Sequence, residues 1–183
     1  MQELDAGESS AYGRIETWYD GIQMFIGHPV LGVGVGNFTD HTWLTAHNSF
    51  VLVLAETGII GYTVWLAMVG YCFLMPVAVL RLPADLGDPE RQRLWTDERR
   101  MAMTLLIAQV GFYTCAFFLS RSYVILLYIM LGLVTGWYGG AQQRWAGLPV
   151  FRAQRDWFKW CVAAAASTVG LWLLVKVLFV LAA

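Results

Sequence analysis

Long apolar stretches and arginines occupy separate parts of this chain, and that separation constrains the fold more than any motif does. The apolar stretches lie at about 49–80, 101–119, 123–138 and 160–181, and the short segments between them hold most of the basic residues. Crossing ~30 Å of hydrocarbon takes an α-helix of ~20 apolar residues, which satisfies its own backbone hydrogen bonds. The expected fold class is therefore all-α, a polytopic membrane helix bundle with a partly helical extracytoplasmic cap. Apolar residues make up 58% of the 183, with nine tryptophans and eight tyrosines, so the stretches are not diluted by a large polar domain. The first stretch is longer than a span needs, which predicts tilt or an emergent end, and Pro76 lies near its close. The third is short and borrows flanking residues. Lys176 in the fourth is close enough to the terminus to snorkel.

The arginines orient these segments. The linker 81–100 carries Arg81, Arg91, Arg93, Arg99 and Arg100, and the linker 139–159 carries Arg144, Arg152, Arg155 and Lys159. Against those nine, residues 1–48 hold only Arg14, and the tight connection Ser120-Arg121-Ser122 holds one. The positive-inside rule puts both rich linkers in the cytoplasm, and the amino-terminal region, the 120–122 hairpin tip and both termini outside. Arg121 is either a solvated tip residue or one that faces a cavity. The rich linkers read as solvated faces. A net charge of −1 offers no basic field for nucleic acid. Cys72, Cys115 and Cys161 share no CxxC spacing and read as small hydrophobes. Residues 1–11 are acidic and polar, unlike a signal peptide, so helices upstream of this chain are expected to place its first 47 residues outside.

The candidate chemistry gathers in residues 1–62. Between 11 and 26, Ile15, Trp18, Tyr19, Ile22, Met24 and Phe25 suggest an interfacial helix, ended by Gly27-His28-Pro29. The glycines Gly32, Gly34 and Gly36 superficially resemble a nucleotide-binding loop, but no βαβ unit precedes them and no GKS/T ending follows. They suit either close backbone approach, with amides turned toward an anionic group, or a surface or re-entrant loop. His47 precedes the first long apolar stretch, as an interfacial polar residue or as a base able to take a proton from a hydroxyl. Asn48 suits the N-cap of the helix that follows. Glu56 lies within the apolar run, where an ionisable group is costly unless it faces a polar interior. Gly58 and Gly61, at i,i+3, form one small face against which a neighbouring helix is expected to pack. Arg14 stands among Glu3, Asp5, Glu8, Glu16, Asp20 and Asp40, a region of net −5. It serves either in a salt bridge to Asp20 or Glu16, or as an anion contact using its planar donor fork. His28, His41 and His47 lack a close ligand spacing, so neither a metal nor another cofactor is expected.

Three segments in order resemble the O-antigen ligase and polymerase superfamily: Arg14-Ile15-Glu16-Thr17-Trp18, then His28-Pro29-Val30-Leu31-Gly32-Val33-Gly34-Val35-Gly36-Asn37-Phe38, then Ala46-His47-Asn48 with nine residues before Gly58-Ile59-Ile60-Gly61. That family's pattern is an arginine before a tryptophan, a HPxxGxGxGxF-like run, and histidine-asparagine followed by GxxG. The resemblance is clearest over residues 10–80. It implies a multi-pass protein of the bacterial inner membrane with its site on the periplasmic face. The implied partners are a glycan on undecaprenyl pyrophosphate, membrane lipid, and lipid A core or another glycan acceptor, without metal or nucleotide. Members carry more helices than this chain, so upstream helices with further arginines are expected to complete the site.

The resemblance implies an inverting displacement. His47 would take the proton of the acceptor hydroxyl, or position it, as the anomeric carbon parts from pyrophosphate. Arg14 would offset the charge gathering on that leaving group. The alternatives are a noncatalytic scaffold or carrier-lipid binding fragment, and, third, a transporter, which would need polar residues continuing through the bilayer.

Overall fold

A computed structural model describes residues 2–82 and 87–182, with side chains from residue 13 onward. The middle of the 81–100 linker and the side chains of Glu3, Asp5 and Glu8 lie outside the described residues. All regular structure there is helical: α1 (Gln2–Gly27), α2 (Phe38–His41), α3 (Ser49–Arg81), α4 (Pro89–Phe118), α5 (Ile125–Arg144) and α6 (Ala153–Ala182). Four helices, α3 to α6, are long and apolar enough to cross a membrane. With no sheet among the described residues, this is the architecture of a polytopic membrane helix bundle. The spanning helices also leave large apolar side chains uncovered, including Ile60, Val64 and Met68 at i,i+4 spacing and Val162, Val169, Leu173 and Val177 on α6. Such stripes are stable against acyl chains and would be a liability in water.

The helices extend beyond the apolar stretches. α4 starts at Pro89, well ahead of Met101, because its polar first turns carry their own start signal. The Asp88 carboxylate accepts the Glu90 amide at 3.1 Å, its carbonyl accepts the Gln92 amide at 2.9 Å, and proline at the first helical position has no amide to leave unpaired.

The chain divides into two compact units. One comprises residues 1–66, 115–122 and 157–183. Within it, α1 buries Thr17, Trp18, Ile22 and Met24, one helical face, against the start of α3. Gly21 makes the crossing close, since a Cβ there would lie 2.5 Å from Val51 and 3.0 Å from Phe38. Trp18 meets Phe117 edge-on at 5.7 Å, and Phe117 in turn meets Phe50 at 6.1 Å. α6 joins through a Tyr62–Ser167 hydroxyl pair at 2.7 Å and the Tyr19–Phe179 stack.

The second unit comprises residues 67–114 and 123–156. Its core is Val79, Trp95, Ala102, Tyr138, Ala141, Trp145 and Leu148, with Trp95 and Trp145 edge-to-face at 4.9 Å. The Glu98 carboxylate, nearly buried, accepts from Trp137 Nε1 at 2.8 Å and Arg144 Nε at 2.9 Å, tying α4 to α5. Pro76 does not end α3, which continues to Arg81. Proline withholds the amide that the Cys72 carbonyl would accept in an unbroken helix. Gln109 Nε2 from α4 donates to that carbonyl instead, at 2.9 Å.

Candidate functional site

The loop after α1 and the first part of α3 form one structure, joined at a break in the helix. Gly58 adopts φ 61° and ψ −166°, which interrupts helical hydrogen bonding. The carbonyls of Ala55 and Glu56 then accept the amides of Val33 at 3.0 Å and Gly34 at 2.9 Å. Beyond the break, the amides of Ile59 and Ile60 donate to the carbonyls of Pro29 at 2.9 Å and Val30 at 3.5 Å. Loop backbone thus supplies partners that the interrupted helix lacks. In an apolar setting each unmet group would cost several kcal/mol, roughly.

Such contact requires glycine on both sides. At Gly58 a Cβ would stand 2.5 Å from the Val30 carbonyl and 2.7 Å from the Gly32 amide nitrogen. At Gly32, with φ 69°, a Cβ would collide with the Glu56 backbone. The close approach expected of a neighbouring helix at Gly58 and Gly61 is therefore a different contact. The loop occupies the space at Gly58, and the side chain of Thr57, bonded to the Val53 carbonyl, fills the space at Gly61. A left-handed glycine cannot serve a continuous helix–helix seam.

Glu56 completes the junction. It is 3% exposed, and Oε1 accepts the amides of Gly36 at 3.0 Å and Phe38 at 3.3 Å. This resolves why a carboxyl group stands inside the apolar run: it fastens the far end of the glycine loop and the start of α2. Its Oε2 has no partner among the described residues. Gly34 makes room for Asn37, whose Nδ2 donates to the Val33 carbonyl at 3.0 Å.

His47 and Asn48 stand at the mouth of α3. Asn48 is the helix cap: Oδ1 accepts the amides of Phe50 at 2.9 Å and Val51 at 3.1 Å, while its buried Nδ2 has no partner among the described residues. His47 has φ 49°, the only non-glycine residue with positive φ among those described. That conformation costs about 1–2 kcal/mol and persists because neighbours enforce it. The enforcing neighbour is the 119–122 turn. Ser120 Oγ accepts the His47 amide at 3.1 Å and pairs with Thr45 Oγ1 at 2.8 Å. Ser49 Oγ donates to the Leu119 carbonyl and accepts the Arg121 amide, both at 2.8 Å, and Ser122 Oγ donates to the Ser49 carbonyl at 3.0 Å. The imidazole itself is half-buried and makes no hydrogen bond among the described residues. Sequence marks Ser120 and Ser122 as a hairpin tip but not their bonds to residues 45–49, since hydroxyl pairing between distant segments has no periodicity to reveal it.

Arg14 projects from α1 with its side chain exposed and no ion pair among the described residues. Burial, with Glu16 one turn away, raises the Asp20 pKa, the opposite of what a salt bridge to Arg14 would do. Contacts place Trp18 by Phe117, which itself meets Phe50, Gly21 by Val51, and Pro29 by Ile59, so α1 and its loop descend alongside α3. Seven residues back from Gly21, about 10 Å along the axis, Arg14 lies toward the His47 end of α3. No contact joins the two side chains. His28 and His41 are exposed and separate from His47, and no group of His, Cys, Asp and Glu among the described residues is placed to hold a metal.

No curated protein and no solved structure matches the chain. A family model described as O-antigen ligase matches residues 1–66, the stretch that contains α1, the glycine loop, the His47 turn and the break in α3. In that stretch, this multi-pass membrane protein is similar to the O-antigen ligase family.

Proposed function

We propose that this chain carries the acceptor-activating part of a membrane glycosyltransferase that moves a glycan from undecaprenyl pyrophosphate to lipid A core or a growing polysaccharide. The observation that carries this reading is the His47 turn: an imidazole with no hydrogen bond among the described residues, on a backbone at φ 49° held by the Asn48 cap and the Ser120 hydroxyl. A histidine kept only to cap or pack would be expected to spend a ring nitrogen on a neighbour. Here neither ring nitrogen is bonded to a neighbour among the described residues.

In the proposed step the acceptor hydroxyl transfers its proton to the neutral imidazole, and its oxygen attacks the anomeric carbon. The bond from that carbon to the pyrophosphate oxygen breaks, its electron pair leaving with pyrophosphate, so the anomeric configuration inverts. Arg14 offsets the charge on the leaving group, an interaction that strengthens as the bond breaks. Glu56 and the glycine loop act through position, by holding the first turns of α3.

The test is glycan transfer from purified undecaprenyl-pyrophosphate donor to an acceptor in liposomes, at matched expression and folding. His47→Ala is expected to lower turnover by roughly 10²–10⁴-fold while carrier binding persists. Arg14→Ala should weaken both, and Arg14→Lys should restore part, because charge returns without the planar fork. Near-native turnover in His47→Ala would leave the histidine a structural residue beside the cap. Carrier binding with no turnover in any arrangement would favour the carrier-lipid binding alternative.

A further inference from the structure

Arg121 lies outside the matched stretch, at the tip of the turn between α4 and α5, yet the structure ties that tip to the His47 turn. Ser120 holds the His47 amide, and Ser49, the first residue of α3, holds the Arg121 amide at 2.8 Å. Two further bonds, from Ser49 to Leu119 and from Ser122 to Ser49, close the clamp. A guanidinium is therefore anchored by its own backbone to the residue that follows Asn48. Its side chain is exposed and makes no ion pair among the described residues.

The balance of donors and acceptors in this turn says what the arginine is for. The serine hydroxyls and the Leu119 and Ser49 carbonyls are spent within the clamp, and no carboxylate joins any of its bonds. Beside the His47 imidazole, two donors of the turn have no partner among the described residues: the Arg121 guanidinium and Asn48 Nδ2, which is buried. The amide end of α3, carrying partial positive charge, lies in the same place. A turn with spare donors, positive potential and no anion of its own fits a phosphate-bearing ligand.

We propose that Arg121 is a binding residue of the His47 site, contacting the phosphate groups of the lipid-linked donor. This rests on the glycosyltransferase reading above and extends it to a second cation, brought in by a separate helical turn. The clamp makes Ser49 its positioning residue, since loss of that hydroxyl frees the Arg121 backbone without removing the charge.

The experiment uses the chain in nanodiscs of zwitterionic lipid, with retention of undecaprenyl pyrophosphate and of undecaprenol measured side by side and free inorganic pyrophosphate as competitor. The native protein should prefer the pyrophosphate lipid. Competition that requires a large excess of free pyrophosphate identifies a lipid headgroup, and equal competition identifies a general phosphate site. Arg121→Gln should reduce the preference about tenfold or more, the usual consequence of losing a charged hydrogen bond, with undecaprenol retention unchanged. Arg121→Lys should keep part of it, and Ser49→Ala should lose part with the arginine still present. Thermal melting of Arg121→Gln is expected to match the native protein, because the replaced side chain is exposed and makes no hydrogen bond or ion pair among the described residues. Full preference in Arg121→Gln alongside loss in Arg14→Gln would overturn the Arg121 assignment and leave the glycosyltransferase reading standing. No preference in the native protein would overturn both.

Discussion

Gly58 and Gly36 share a left-handed backbone but carry different burdens, and comparing them tests the loop–helix junction one residue at a time. Gly36 has φ 85° and open space where a Cβ would go. Alanine there should cost only the backbone term, about 1–2 kcal/mol. Gly58 has φ 61° and the Val30 carbonyl 2.5 Å from its Cβ position. Alanine there should cost that term plus an overpacking penalty of about 1–3 kcal/mol, and should separate the Pro29–Val33 backbone from α3. Thermal unfolding of both variants in one detergent checks this, and equal losses would count against the junction. The sequence marks every residue involved, yet not their association. Gly32, Gly34 and Gly36 read as a loop, and Gly58 with Gly61 as a helix face, because spacing along one segment says nothing about which other segment fills the space. Glu56 was more legible: a carboxyl in an apolar run needs polar partners, and the Gly36 and Phe38 amides are those partners.

Among the elements, α3 shows how a membrane helix survives two interruptions, each repaired from outside itself. Gly58 is repaired by loop backbone, and Pro76 by the side chain of Gln109. The second repair predicts a specific coupling. Gln109→Leu in the native background leaves the Cys72 carbonyl unmet and should destabilise by about 1–3 kcal/mol. In a Pro76→Ala background the alanine amide reaches that carbonyl, so Gln109→Leu should be close to neutral. A double-mutant cycle by thermal or denaturant unfolding measures the difference, and additive losses would show that Gln109 serves some other purpose. The apolar runs made the spanning helices legible, but polar extensions such as the start of α4 were not, although Asp88-Pro89-Glu90 is a readable cap. Hydropathy ends where lipid ends, whereas helix ends where caps end.

For the whole molecule, the orientation proposed from basic residues gains a constraint from the hydrogen bonds between residues 45–49 and 119–122. Segments in contact share one side of the bilayer, so the chain between them crosses an even number of times. The two spanning helices α3 and α4 meet that condition. The direction is our proposal from the arginine count: the linker with Arg91, Arg93, Arg99 and Arg100 on the cytoplasmic side, and His47 opposite. The direction has consequences for the proposed function, in which acceptor and lipid-linked donor meet on the His47 side. Single cysteines at Asp40 and at Arg91, in a chain with Cys72, Cys115 and Cys161 replaced, test it in intact cells with a membrane-impermeant thiol reagent. The Asp40 position, exposed on α2, should label directly. The Arg91 position, also exposed, should label only after permeabilisation. The reversed pattern would move the His47 turn to the cytoplasm and end the lipid-linked donor reading, even with every hydrogen bond of the turn intact. Labelling of both without permeabilisation would mean that α3 does not span.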